Sequence, residues 1–209
     1  ISPIFTGLIA DKFFDSEKII GVLHLVGAAL LYLMSLSDGF STFFPLLICY
    51  MILYAHTIAL TSSVAMHHSA NPDKDFPSIR VLGTIGWIVA GLIIGFGGLD
   101  EASSQPFLLA AIASVVLGLY SFALPNTPPK DKNEKVDIKK VFALDAIGML
   151  KKRSFRTLII AIFLIYIPMT FYFQFGHLFM TELSIERVAA KQTIGQVSEL
   201  GFMLSLIHI

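Results

Sequence analysis

Five stretches of this chain, at 18–36, 43–64, 79–96, 107–124 and 157–180, are apolar enough to sit in hydrocarbon. Each reaches or nears the roughly 20 residues that a helix rising about 1.5 Å per residue needs to cross a bilayer. No water is available there for N–H and C=O groups, so the backbone must satisfy its own hydrogen bonds; runs of this length do that as helices. The fold class that follows is all-α, a polytopic membrane helix bundle. Hydrophobic residues make up 55% of the chain and charged residues 14%, against about 25% charged in a soluble domain. The formal net charge is zero, which offers nothing to hold a nucleic acid. Cys49 is the only cysteine and lies in an apolar run, so no intrachain disulfide can form and a small buried thiol is expected.

The connections between these spans fall into two classes, because consecutive spans end on alternate sides. One class holds loops 11–18, 67–77 and 125–156 and the adjoining helix starts, and collects 13 of the 15 basic residues. The other holds Arg187 and Lys191 beside Asp38, Asp100, Glu101, Glu182 and Glu186. The positive-inside rule makes the first class cytoplasmic. The 125–156 segment opens Pro- and Lys-rich and divides the chain into an N-terminal bundle (1–125), a linker (126–155) and the start of a second bundle (156–209). Ile138, Val141, Phe142, Ala146 and Met149 recur at helical spacing, which predicts a short helix on the membrane surface; a solvated connector is the alternative. Apolar residues 1–10 are too short to span, and a helix from Thr193 toward Ile209 would end within hydrocarbon. Both ends therefore read as cut. Residues 204–209 (LSLIHI) also resemble one frame of a sequencing adapter, so no function is read into His208.

Arg80 opens the third span. A guanidinium stays ionised, and inside hydrocarbon it costs roughly 2.5–3.5 kcal/mol on insertion scales unless it meets a partner or a water-filled cavity. Close to a helix end it can also snorkel to water. Arg80, Thr84, Trp87 and Gly91 follow at steps of four, three and four, which puts them on one helical face. A cation, a hydroxyl and an aromatic on one stripe are the material of a polar cavity. Gly91 with Gly95, and Gly86 with Ala90, form small-xxx-small faces suited to close helix contact. Pro168 interrupts the fifth span and should free the Leu164 carbonyl and kink the helix.

Three motifs carry a resemblance. Gly7-Leu8-Ile9-Ala10-Asp11-Lys12 resembles the Gly-x-x-x-Asp-Arg/Lys loop between the second and third helices of the major facilitator superfamily. The stretch Asp75-Phe76-Pro77-x-x-Arg80-x-x-Gly83-Thr84-x-Gly86, following Ala59-Leu60-Thr61 and His67-His68, looks like the nucleoside:proton symporters within that superfamily. Gly195-Gln196-Val197-Ser198-Glu199 resembles the Gln-x-Ser-Glu motif of their eighth helix. The resemblance implies the major facilitator fold, with this chain covering helices two to eight of twelve. It implies proton-coupled nucleoside uptake by alternating access across a bacterial inner membrane, by a monomer without cofactor.

On that resemblance Gly7, Asp11 and Lys12 are gating residues, although an Asp11 that simply caps the next helix is the other reading. Arg80, Thr84 and Trp87 take the fifth-helix pocket positions, and Gln196 and Glu199 the eighth-helix polar ones. Gln196 offers donors and acceptors to ribose or base, and Glu199, an intramembrane carboxylate, is expected to couple protons together with Arg80. Thr170, Gln174 and His177 share a face at steps of four and three, so Thr170 and Gln174 are expected at the substrate from geometry alone. His56 sits mid-span, either lining the cavity or bonding a neighbouring helix. His67, His68 and His177 cannot converge on one metal: adjacent histidines on a helix diverge by about 100°. No nucleophile–base set suggests an enzyme. The alternatives are a facilitator for sugars or other small polar solutes, and a receptor that keeps the pocket but moves nothing.

Overall fold

A computed structural model describes residues 15–128 and 148–207. Gly7, Asp11 and Lys12 lie outside the described residues, as does the expected surface helix up to residue 147. Six helices order the described chain: α1 Ser16–Ser35, α2 Phe40–His68, α3 Pro72–Phe96, α4 Gln105–Ser121, α5 Arg153–Glu182 and α6 Val188–Ile207. Among the described residues there is no strand. Four of the six, α1, α2, α3 from Asp75 and α5, are long and apolar enough to cross a membrane. α4 is shorter at 17 residues, but Phe122, Ala123 and Leu124 donate backbone bonds to Leu119, Tyr120 and Ser121. These three-residue steps tighten the last turn and carry the rise to Leu124, just before Pro125. α5 buries none of its side chains. A helix with closed backbone bonds and apolar sides is stable in that state only where hydrocarbon covers it.

Two sets of contacts organise the bundle. α1 packs against α2 and α4. Its crossing with α4 is close because both helices carry glycine there: a Cβ at Gly21 would lie 2.7 Å from the Phe122 ring and 3.1 Å from the Gly118 carbonyl. Ile20, Leu60 and Val64 form a small core beside it. At one end the chain is tied by polar bonds. Glu17 is buried and its Oε2 accepts the Thr127 N–H at 2.9 Å; Ser16 N–H donates to the Thr127 carbonyl at 3.1 Å, and His68 Nε2 lies 2.9 Å from Thr127 Oγ1. We call this the basic end, since Lys18, Lys152 and Arg153 stand there at helix starts; the opposite, acidic end carries Asp38, Asp100 and Glu101.

The second set joins α3 to α6, antiparallel, with weaker contacts from α5 to α6 and from α2 to α3. Gly91 and Gly95 make this approach possible. A Cβ at Gly91 would meet Thr193 Cγ2 at 2.6 Å, and one at Gly95 would meet the Ala190 Cβ at 2.5 Å. The second small-residue pair does not pack in this way, since a Cβ at Gly86 meets nothing within 4 Å.

Several boundaries differ from expectation. α3 begins at Pro72, with Pro at its first turn and the Asp75 carboxylate accepting the Asn71 N–H at 3.0 Å; proline loses no helical bond there, so a turn signal becomes a helix start. α5 runs from Arg153 to Glu182 as one helix with Pro168 inside it. Cys49 is exposed on α2, because in a membrane an apolar run can face hydrocarbon instead of a protein core.

Candidate functional site

A cavity of about 500 Å³ lies between α2, α3, α5 and α6, within the size range that takes small molecules. α3 contributes Phe76, Arg80, Thr84 and Trp87, the stripe expected from their spacing. α6 contributes Gln196 and Glu199, three residues apart and so on one face. α2 adds Tyr54, Ile58, Thr61, Ser62 and Ala65, again at helical steps. The Thr61 hydroxyl donates to the Thr57 carbonyl at 2.7 Å and the Ser62 hydroxyl to Ile58 at 2.9 Å. Their protons are thus used within α2, which leaves both oxygens as acceptors.

Gln196 is the most telling polar group. It is 9% exposed, and its buried Oε1 has no hydrogen-bond partner among the described residues. Leaving a buried acceptor unpaired costs about 1–3 kcal/mol, a cost that a donor on a bound molecule would remove. Arg80 and Glu199 line the same cavity, yet among the described residues no ion pair within 4.0 Å joins them. Thr84 Oγ1 lies 3.8 Å from Met203 Sδ, which links α3 to α6 beside the site. Toward the acidic end the cavity meets Trp87 and Phe173, whose rings are 6.1 Å apart between centroids and tilted by 40°.

α5 turns a different face to the cavity from the one expected. Met169 and Phe173 line it, whereas Thr170 and Gln174 do not. Thr170 is exposed and its hydroxyl donates to the Tyr166 carbonyl at 2.7 Å. One residue along a helix is about 100° of rotation, so Thr170 and Gln174 stand one position round the helix from the Met169 and Phe173 stripe. His56 is not among the lining residues either; its Nδ1 meets the Ile52 carbonyl of its own helix. The α2 stripe and Phe173 are absent from the sequence-based set, although the spacing of Tyr54, Ile58, Thr61 and Ala65 was a readable signal.

The nucleoside H+ symporter family model matches residues 1–209. The chain belongs to the nucleoside H+ symporter family. It is 41% identical over 212 residues to the Escherichia coli K12 protein YegT, covering 99% of this chain and 50% of YegT. It is 28% identical to the xanthosine permease of the same organism, covering 99% of this chain and 52% of the permease. The crystal structure of the nucleoside transporter NupG (D323A mutant) matches with a TM-score of 0.82 at 23% identity, covering 98% of this chain and 54% of that one. The two chains share one fold over this region, and this member of the family is a multi-pass membrane protein. It spans about half the length of the relatives it matches.

Proposed function

We propose that the complete gene product is a proton-coupled nucleoside transporter of a bacterial inner membrane, working by alternating access as a monomer. The carrying observation is the cavity that brings Arg80, Thr84 and Trp87 of α3 together with Gln196 and Glu199 of α6 in a member of the nucleoside H+ symporter family. Trp87 supplies a flat face for base or ribose, Gln196 an acceptor for a substrate donor, and Thr61 and Thr84 further hydroxyl contacts. Arg80 and Glu199 form a pair that opens and closes with the proton load: a protonated Glu199 frees Arg80 and admits substrate, and re-pairing accompanies release. The basic end faces the cytoplasm. Residues 1–125 and 156–209 belong to two bundles that move against each other, and Gly7, Asp11 and Lys12 latch the cytoplasmic gate.

The test is uptake of labelled uridine by cells that lack their own permeases and express the complete gene. Uptake should rise with the gene and collapse on addition of a protonophore. A membrane with binding but no flux would instead be a receptor. A second reading, transport of a sugar, has support in 26% identity to the maltose permease of Geobacillus stearothermophilus over 73% of this chain. Competition separates the two: unlabelled nucleosides should suppress uridine uptake and maltose or hexoses should not.

A further inference from the structure

Between the cavity and the acidic end, α3 and its following loop meet α5 and α6 in successive layers. Nearest the cavity is the Trp87–Phe173 ring contact. Gly91 against Thr193 and Gly95 against Ala190 come next. Outermost is Glu101, in the loop after α3. Its Oε2 accepts the Ala189 N–H at 3.1 Å, 88 residues away in sequence, and lies 3.8 Å from His177 Nε2.

Several features aim this carboxylate. Gly98 (φ +74°) turns the chain out of α3. Asp100 then braces the loop: its Oδ1 accepts the Ala102 N–H at 3.0 Å, its carbonyl accepts the Ser103 hydroxyl at 2.7 Å, and its N–H donates to Gln105 Oε1 at 3.0 Å. On the other side Ala189 is the second residue of α6, where N–H groups have no partner within the helix and a negative charge is favoured by the helix dipole. Arg187, just before α6, holds a left-handed backbone (φ 55°) and sets its guanidinium 5.1 Å from the centre of the Phe96 ring. The glycine layers match shape, but they work only while the two helices are held together. A charge-assisted bond is directional and is lost over a small displacement.

We propose that Glu101 is the latch that holds the acidic ends of α3 and α6 together through Ala189, and that it must release before the cavity can open to that side. The proposal rests on the reading of the protein as an alternating-access transporter. In the complete gene product, with Cys49 and every cysteine outside residues 1–209 changed to Ser, Thr193→Cys places one thiol in the seal, where Thr193 is 6% exposed. Its labelling by a membrane-impermeant maleimide applied to the acidic-end side reports opening. Glu101→Ala should speed labelling by about tenfold, the worth of one charge-assisted bond. Glu101→Gln keeps an oxygen for Ala189 but loses the charge, so labelling should rise only about threefold, clearly less than in Glu101→Ala, which also shows that the mutated loop still folds. Unchanged labelling in Glu101→Ala, or an equal rise in both variants, overturns the latch. Uridine uptake is measured in the same cells: absence of uptake by the parent refutes the transport reading, whereas the labelling rates judge the latch alone.

Discussion

Gly95 of α3 and Ala190 of α6 pack with no room between them: a Cβ on Gly95 would stand 2.5 Å from the Ala190 Cβ and 2.8 Å from its backbone nitrogen. The neighbouring atoms are backbone and a methyl attached to it, so no flexible side chain can yield. Gly95→Val should therefore force the helices apart, at an overpacking cost of about 1–3 kcal/mol. Nucleoside uptake should fall more than tenfold while the protein still inserts, as checked by surface expression and elution as a single species in detergent. Gly86→Ala, where the added methyl meets nothing within 4 Å, should leave uptake within about twofold.

Gln196 offers a prediction with opposite signs for binding and stability. Its buried Oε1 has no hydrogen-bond partner among the described residues, so Gln196→Leu removes an unsatisfied group from the protein while depriving substrate of an acceptor. We expect KM for uridine to rise roughly tenfold, the worth of about 1–1.5 kcal/mol for one hydrogen bond. The Tm in detergent should stay level or increase. A fall in Tm together with unchanged KM would make Gln196 a structural residue.

The two faces of α5 can be told apart by mutation. Phe173 touches Trp87 and both line the cavity; a base that stacks on an aromatic gains about 1–3 kcal/mol. Trp87→Ala should therefore weaken nucleoside binding at least fivefold by equilibrium dialysis or KM. Gln174→Leu and Thr170→Val, off the cavity, should leave KM within about twofold.

Coupling is tested at Glu199. Glu199→Gln holds the shape but cannot lose a proton, so uridine should still exchange across the membrane down its own gradient. Accumulation driven by a pH gradient should be lost. Undiminished accumulation in this variant would sink the Arg80–Glu199 switch.

The all-helical membrane class, the family and the α3 stripe of Arg80, Thr84 and Trp87 are legible in the residues alone. Hydrocarbon leaves a chain few options, and helical spacing alone decides which residues of one helix share a face. Gln196 and Glu199 were readable for the same reason, with the motif resemblance as guide. Which stripe of each helix faces inward is a different matter. In water, hydrophobicity marks the buried face, but in a bilayer lipid and protein interior are both apolar, and that signal vanishes. Thus the shared polar face of Thr170 and Gln174 is the one expected at the cavity, and exposed Cys49 is expected to be buried. The rotation of α5, the use of Gly91 and Gly95 where Gly86 stays open, and the meeting of Glu101 with Ala189 across 88 residues emerge from helix packing. Those are contacts between separate helices, fixed by packing, and local spacing does not encode them.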